Sequence, residues 1–466
     1  MLGRESRMTV DQILSLGPAL AEFLDEFAGC FGRSEPREHL RHYVRGQLSN
    51  LQRKSVEPIA LFNNIAPRTL QEFLNSDVWD HPRARDHVQQ IVARDHEDPK
   101  AIGIIDDSGH AKSGKMTPGV QWQYSGRLGK TANCMVTVQL AFSSFDTSFR
   151  TMLDTELFLP ESWSKDRPRC RQAGIPDDVV YRPKHHIALE LLDRAQANGV
   201  HLEWITADIW YSEKPDFLAG LEQRHYRYVA EIPRNLQGWL YNPGDNPRHP
   251  ARGVEQLCHH ARPMTGQEWV PFHIKNTDKG PMVWKVKSTP FWLARGDQVL
   301  GGYQLIWVYD PLHPEEEKWF LVRDPLEDRL QTWLHVGFGR WPVERVLEDE
   351  KSELGLSHFE VRKYQAVMRH LYITMVSHLF LARQTEQLRG ENPLLMLSQV
   401  RDANALVTTL SFDADHRQRH LERASAVLQR TQLRNQKARR SHYKTRRRQL
   451  HALGLFTSCM RSCIPP

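Results

Sequence analysis

The chain has 466 residues, 40% hydrophobic and 25% charged, with a formal net charge of +6. That balance is globular and excludes a disordered or fibrous protein, and no apolar run is long enough to predict a membrane span. The start, MLGRESRMTVDQ, lacks the apolar core of a secretory signal, and six scattered cysteines fit a reducing compartment, so a cytoplasmic protein is expected.

Residues 9 to about 98 read as helical. DQILSLGPALAEFLDEFAGCF and EHLRHYVRGQLSNLQRK both place apolar residues at helical spacing, with Arg41, Arg45, Arg53 and Lys54 between them as DNA contacts or a solvated face. AIGIIDDSGH (Ala101–His110) then runs a short apolar strand into two adjacent carboxylates. ANCMVTVQLAFSS (Ala132–Ser144) and FRTMLDTELFLP (Phe149–Pro160) alternate like strands. PKHHIALELLDRAQANG is a helix, with Pro183 at its first position and Gly199 past its end. HLEWITADIW returns to strand and again meets an acid, Asp208, before the helix KPDFLAGLEQR and the strand RYVAEIP. From about Asn235 to Val336, short apolar runs separated by Pro, Gly, Asp and Asn predict a β-rich insertion. Helices resume with WPVERVLEDEKSELGL and KYQAVMRHLYITMVSHLFLARQ.

Three strands ahead of the first helix of this part follow the meander of a ribonuclease-H-like domain, whereas a doubly wound sheet alternates strand and helix from the start. The expected class is α/β: a ribonuclease-H-like mixed sheet with flanking helices, interrupted by a β-rich insertion, plus an N-terminal helical domain. The corresponding segments are a helical DNA-binding region (1–98), the first part of the core (99–234), the insertion (235–336), a helical second part of the core (337–390) and a basic C-terminal region (391–466).

Charge is concentrated in that last region. RTQLRNQKARRSHYKTRRR, Arg430 to Arg448, holds nine Lys or Arg and no acid, and without those nine the chain would carry −3. Such a stretch is the footprint of a polyanion, most often nucleic acid, and Arg446, Arg447 and Arg448 are its densest part.

Cutting or joining a nucleic-acid backbone commonly uses two divalent ions held by carboxylates. Asp106 and Asp208, each following an apolar strand, fit that task, and a third acid is wanted from a helix beside the sheet. In RWPVERVLEDEKSELGL, Val343, Val346, Leu347 and Leu354 form a buried stripe. Arg340, Glu344 and Lys351 fall close to one line of the same helix, so a metal-binding acid there would sit between two phosphate-binding cations. Glu348, Asp349, Glu350 and Glu353 crowd that helix too, and spacing alone leaves Glu344 one acid among several. Lys112, Lys115, Arg127 and Lys130 cluster in a Gly-rich loop after Asp106 and are read as contacts to the DNA backbone. SGRLGKT lacks Walker spacing, which argues against nucleotide hydrolysis. His110 is a candidate phosphate contact and His185 and His186 read as surface residues, while CHH (Cys258–His260) and CMRSC (Cys459, Cys463) lack paired zinc spacing.

Taken together, these blocks resemble bacterial insertion-sequence transposases of the DDE type, the group with a Tyr-x2-Arg-x3-Glu-x6-Lys signature. Arg340, Glu344 and Lys351 reproduce the last three elements, with Gly337 in the Tyr position and Phe338 next to it. IIDDSG matches the first-acid pattern Asp-x-Ser/Thr, making Asp106 the ligand and Asp107 the intervening residue. KSGKMTPGVQWQYSGRLGKTANC and TADIWYSEKPDFLAGL resemble the blocks at and after the first and second acids, and the likeness runs from about residue 37 to 385. The resemblance implies that Asp106, Asp208 and Glu344 bind two Mg²⁺ ions, for which Mn²⁺ can substitute. It further implies that the enzyme cuts double-stranded transposon-end DNA and joins the freed 3′-hydroxyls to target DNA. A homodimer in the synaptic complex and a bacterial, nucleoid-associated location follow from the same likeness. In some related enzymes a Trp of the insertion stacks on a flipped base, and this insertion holds Trp239, Trp269, Trp284, Trp292, Trp307, Trp319 and Trp333. Two rival readings are a catalytically silent DNA-binding regulator of the same fold and a purely hydrolytic metal-dependent nuclease.

Overall fold

The structure, a computed structural model, describes residues 8–125, 129–244, 249–277, 279–392, 395–409 and 414–455. Arg127, Cys459 and Cys463 lie outside the described residues. The chain divides into two compact units, one of Met1–Ala101, Ile105–His201 and Pro342–Leu433, the other of Ile102–Ile104, Leu202–Trp341 and Arg434–Pro466.

The first unit opens with helices α1 (Val10–Asp25), α2 (Ser34–Gln47), α3 (Val56–Phe62), α4 (Pro67–Asn75) and α5 (His81–Asp95). Thr9 starts α1 with a capping box, its hydroxyl accepting the Gln12 N–H at 3.1 Å while Gln12 accepts the Thr9 N–H at 3.0 Å. Strands β1 (Ile102–Ala111), β2 (Gln121–Ser125), β3 (Lys130–Ser143) and β4 (Arg150–Leu157) follow, then α6 (Glu161–Lys165), α7 (Arg167–Gln172) and α8 (Lys184–Ala197). Two features differ from the sequence expectation. An additional strand, β2, precedes the first helix of this part, and β1 does not stop at its acids but continues to Ala111. Ser108, Gly109 and His110 are buried, and beyond β1 the Lys112 N–H donates to Asn133 O at 3.0 Å, so the chain keeps pairing after the charges.

In the second unit come β5 (Trp204–Ala207), α9 (Ile209–Ser212), α10 (Pro215–Gln223), β6 (Arg227–Ile232), β7 (Gln237–Trp239) and β8 (Arg252–Gly253). They are followed by α11 (Val254–His260), α12 (Arg262–Thr265), β9 (Val270–Thr277), β10 (Gly280–Arg295), β11 (Gln298–Asp310), β12 (His313–Arg323) and α13 (Leu330–Gly337). Helix α14 (Trp341–Ser352) leads back to the first unit, which is completed by α15 (Tyr364–Arg389), α16 (Leu397–Thr409) and the first half of α17 (Ala414–Ala452).

Within the first unit β3 lies between β1 on one side and β2 and β4 on the other, β2 pairing with its start and β4 with its later half. The second unit orders its strands β5-β6-β12-β11-β10-β7-β8, with β9 also on β10; Ile102–Ile104 of β1 joins that row beside β5. Strands β5 and β6 are parallel, and α9 and α10 connect them, whereas β9 to β12 are antiparallel. The meander, the helix and the parallel pair make the ribonuclease-H-like, mixed-sheet α/β fold that the element order predicts.

Helix α15 is the spine of the first unit, buried along nearly its whole length against α2, α4, α5 and β4. Several of its interior polar groups find partners on neighbouring helices. Tyr43 OH lies 2.9 Å from His370 Nδ1, Gln47 Nε2 donates to Thr374 at 2.8 Å, and Ser377 donates to Gln47 at 2.7 Å. Arg369, 1% exposed, donates to the carbonyls of Phe73, Leu74, Asp77 and Trp79 and lies over the Trp79 ring. These bonds tie α15 to the end of α4, where a buried cation without them would cost several kcal/mol. In the second unit Arg227 plays the same part beside β5. It pairs with Asp324 at 2.9 Å and with Glu203 and Asp328, and it lies over the Trp204 ring.

Candidate active site

Asp106 and Asp107 stand on β1, so their side chains leave opposite faces of the strand. Both are half-buried. Asp107 forms an ion pair with Lys184, the first residue of α8. Asp106 Oδ1 accepts the Asp107 N–H at 2.7 Å, which orients its carboxylate.

Asp208 follows β5 and is the N-cap of α9. Its backbone is extended (φ −78°, ψ 176°) and Oδ1 accepts the Tyr211 N–H at 3.2 Å. Tyr211 is fully buried against Phe217, and Ser212 donates to Glu231 O, so the short helix is anchored to β6. The resulting carboxylate is half-buried and rigidly seated.

Glu344 is exposed on the first turn of α14, and Lys351, in the last turn, is half-buried. The other acids of that helix differ sharply. Asp349 is 4% exposed and pairs with Arg345 at 3.0 Å, and burial pushes its carboxyl up to about 6. Glu350 is fully buried, its two oxygens have no hydrogen-bond partner among the described residues, and desolvation pushes it up to about 8, against the opposing pull of Lys351. The apolar stripe on this helix is visible in the sequence, and Glu350, three residues after Leu347 and four before Leu354, falls on it.

In the second unit, Arg340 precedes α14 with its Nε 4.0 Å from Glu231, which also takes Lys318 at 2.8 Å. Gly337, which occupies the Tyr place of the signature, is packed so closely that a Cβ there would lie 3.0 Å from Val229 and 3.2 Å from Phe320. A Tyr side chain therefore has no room at this backbone position, and Phe338 instead packs its ring 5.0 Å from Trp284 and 5.5 Å from Phe320.

The predicted basic contacts fall into two groups. Lys112 donates to Phe359 O at 2.7 Å and Ser357 O at 3.2 Å and lies over the Phe359 ring; desolvation pulls its ammonium down to about 7. Its charge holds the chain after β1 to the segment before α15. His110 is equally internal, with its ring nitrogens 3.0 Å from Ser357 and 3.1 Å from Thr137. Among the N-terminal cations, Arg41 pairs with Asp25 and Glu38, Arg53 pairs with Glu360, and Lys54 is buried against two carbonyls. Lys115 and Lys130 are exposed.

The C-terminal cluster is also divided. Arg447 and Arg448 are exposed, but Arg446 pairs with buried Asp310 at 3.2 Å and donates to Pro281 O at 2.9 Å. Leu450 and Leu455 pack with Val283, and a Cβ at Gly280 (φ +105°) would lie 3.2 Å from Arg446 and Tyr443, so the close approach there favours glycine. Arg446→Ala is expected to strip buried Asp310 of its cation and cost about 1–3 kcal/mol of stability, read as a lower denaturation midpoint. The double variant Arg447→Ala/Arg448→Ala, at two exposed positions, should lower that midpoint by much less and reduce the salt slope of DNA binding by about 2.

None of the seven insertion tryptophans is exposed: Trp239, Trp284, Trp307 and Trp333 are buried, and Trp269, Trp292 and Trp319 half-buried. Trp269, Trp307 and Tyr309 line a cavity of about 420 Å³ with His259, Lys285 and Glu317, and Trp307 donates to Glu317 at 3.2 Å.

A carboxylate on β1 and another just past β5, in a ribonuclease-H-like fold, are donors of the kind that suit metal-assisted chemistry on phosphodiesters. The chain belongs to the DDE superfamily endonucleases, whose family model matches residues 26–283, a stretch that includes Asp106 and Asp208 and ends before Glu344. It is also similar to a "Probable transposase for insertion sequence element IS701" from Microchaete diplosiphon, with 28% identity over 221 residues. That alignment covers 46% of this chain and 54% of the relative, so the chain spans about half the length of the curated relative it matches. Among the described residues no helix is long and apolar enough to cross a membrane.

Proposed function

We propose that this protein is a transposase that cuts transposon-end DNA and joins the 3′-hydroxyl ends to target DNA. The observation that carries the reading is the family match across two acids, Asp106 on β1 and Asp208 just past β5, each with one oxygen held by a backbone N–H. Those two carboxylates and Glu344 would hold two Mg²⁺ ions, or Mn²⁺ in their place, because an all-oxygen anionic donor set suits hard divalent cations. Bound there, the ions would supply Lewis acidity that activates a nucleophilic oxygen and offsets charge on the leaving one. The chain's own contribution is preorganisation: the amides of Asp107 and Tyr211 orient the two aspartates, and Lys184 keeps Asp107 occupied. Arg340 and Lys351 near Glu344, together with Lys130, Arg447 and Arg448, would meet phosphates, and two copies would pair in the synaptic complex.

The test is to incubate the protein with Mg²⁺ and end-labelled duplex DNA from the flanks of its gene, then map nicks and joined products. Nicks at the element ends with joined products are expected. Nicks without joining would identify a hydrolytic nuclease. Tight end binding without nicks would identify the silent regulator, for which Gly337 in place of the signature Tyr leaves room and against which the retained Asp106, Asp208 and Glu344 argue.

A further inference from the structure

Among the described tryptophans the most exposed is far from the insertion in sequence. Trp122 is 73% exposed and Tyr124, two residues on, is 67% exposed. Both lie on β2, where alternation puts them on one face, while the intervening Gln123 turns inward and donates to Cys134 O at 2.8 Å. Their partners on β3 are Asn133 and Thr131, both small enough to leave the rings uncovered. A large aromatic left in water forgoes the stabilisation of burial, and two in register on one ribbon form a patch rather than scattered exposure.

The ribbon beneath them is rigid. Asn133 Nδ2 donates to Lys112 O at 2.6 Å and Gly114 O at 3.0 Å, Trp163 Nε1 donates to Val120 O at 2.8 Å, and Ser162 donates to Gln121 at 2.8 Å. Trp163 itself belongs to a buried cluster with Val120, Leu159 and Cys170, so the root of β2 is fixed to a core. The surroundings are cationic: the chain has no Asp or Glu from Ser108 to Phe145, and Lys115 and Lys130 are exposed. An aromatic pair on a stretch of chain that carries cations and no acid complements a partner that is both anionic and flat, and a nucleobase on its phosphate backbone is both. Residues i and i+2 of a strand are roughly 6.4–6.8 Å apart, about twice the ~3.4 Å rise per base, so a single base fits between the two rings.

We infer that the β2–β3 ribbon is a base-stacking platform, on which Trp122 and Tyr124 hold an unpaired base of the DNA strand being processed. The inference rests on the proposed DNA-processing function and adds the state of the DNA that is recognised. It also follows from the chain path: β1 carries Asp106, and the chain from β1 leads directly into this ribbon.

The experiment uses the full chain and a short single-stranded oligonucleotide carrying one 2-aminopurine, with the matching full duplex as comparison. Stacking on an aromatic side chain contributes about 1–3 kcal/mol per base, which at 1.4 kcal/mol per tenfold is roughly 5- to 100-fold in affinity. Trp122→Ala/Tyr124→Ala should lose that factor for the single strand, abolish the protein-induced change in 2-aminopurine fluorescence, and change duplex affinity by less than about threefold. Trp122→Phe/Tyr124→Phe should retain both the affinity and the fluorescence change. Because both side chains are exposed, the melting temperature of each variant should match the wild type. Unchanged single-strand binding by the alanine variant would overturn the inference, as would a loss of dimer by light scattering with DNA binding intact, which would make the ribbon a contact between copies. A wild-type protein that binds neither DNA form would instead refute the proposed function.

Discussion

Asp208→Asn is expected to abolish metal-dependent DNA cleavage while leaving the fold and DNA binding nearly intact. Asparagine can still accept the Tyr211 N–H that caps α9, so the change removes charge without removing the cap. Losing a ligand that stabilises transition-state charge by several kcal/mol corresponds to a rate loss on the order of 10³-fold or more. The companion pair is more discriminating. Asp106→Asn should have the same effect on cleavage, whereas Asp107→Asn should retain most of the activity and only weaken the tie to Lys184. Gel assays of the three variants with Mg²⁺, alongside thermal melts, check this directly; full activity in Asp106→Asn with loss in Asp107→Asn would reverse the assignment.

The second large effect concerns stability. Glu350 is fully buried with no hydrogen-bond partner for its carboxyl among the described residues, and its folded-state value of about 8 lies above the ordinary 4.5. Between those two values the folded protein holds a proton that the unfolded chain releases, so stability is greatest below the unfolded value and falls as pH rises through the window. Asp349, pushed up to about 6 by the same burial, contributes in the same direction over a narrower range. At 1.36 kcal/mol per unit, the Glu350 shift amounts to roughly 3–5 kcal/mol lost by pH 8 to 9. Glu350→Gln keeps the volume and cannot ionise. It should match the wild type near pH 4 and exceed it at pH 9 by most of that amount, measured as the denaturation midpoint across pH. Parallel pH profiles for the two proteins would show that Glu350 is not the group responsible.

How much of this was legible beforehand differs from residue to residue. The strands around Asp106 and Asp208 were readable because apolar runs and alternation are local signals. Strand β2 carried the same signal, polar and aromatic residues alternating from Gln121 to Ser125, but it is short and lies inside a Gly-rich, basic stretch that reads first as a loop. The end of β1 was misplaced because charge inside a strand looks like a turn until the burial of Ser108 and His110 is known. On α14 the apolar stripe was legible, and its periodicity puts Glu350 on the stripe and Glu344 off it; how completely Glu350 loses water is set by the packing around the helix.

By itself, the sequence determined the α/β class, the apolar runs that precede Asp106 and Asp208, and the family-like spacing of Arg340, Glu344 and Lys351. These depend on residue order and short-range geometry. Only the tertiary structure decided which charges are already occupied. Asp107 belongs to Lys184, Lys112 to the carbonyls before α15, and Arg446 to Asp310. The same structure left Trp122 and Tyr124 in solvent while covering every described tryptophan of the insertion at least in part. The reason is physical: an ion pair or a burial is set by groups far away in the chain, and its energy depends on how completely water is removed from both partners. No local pattern carries that information.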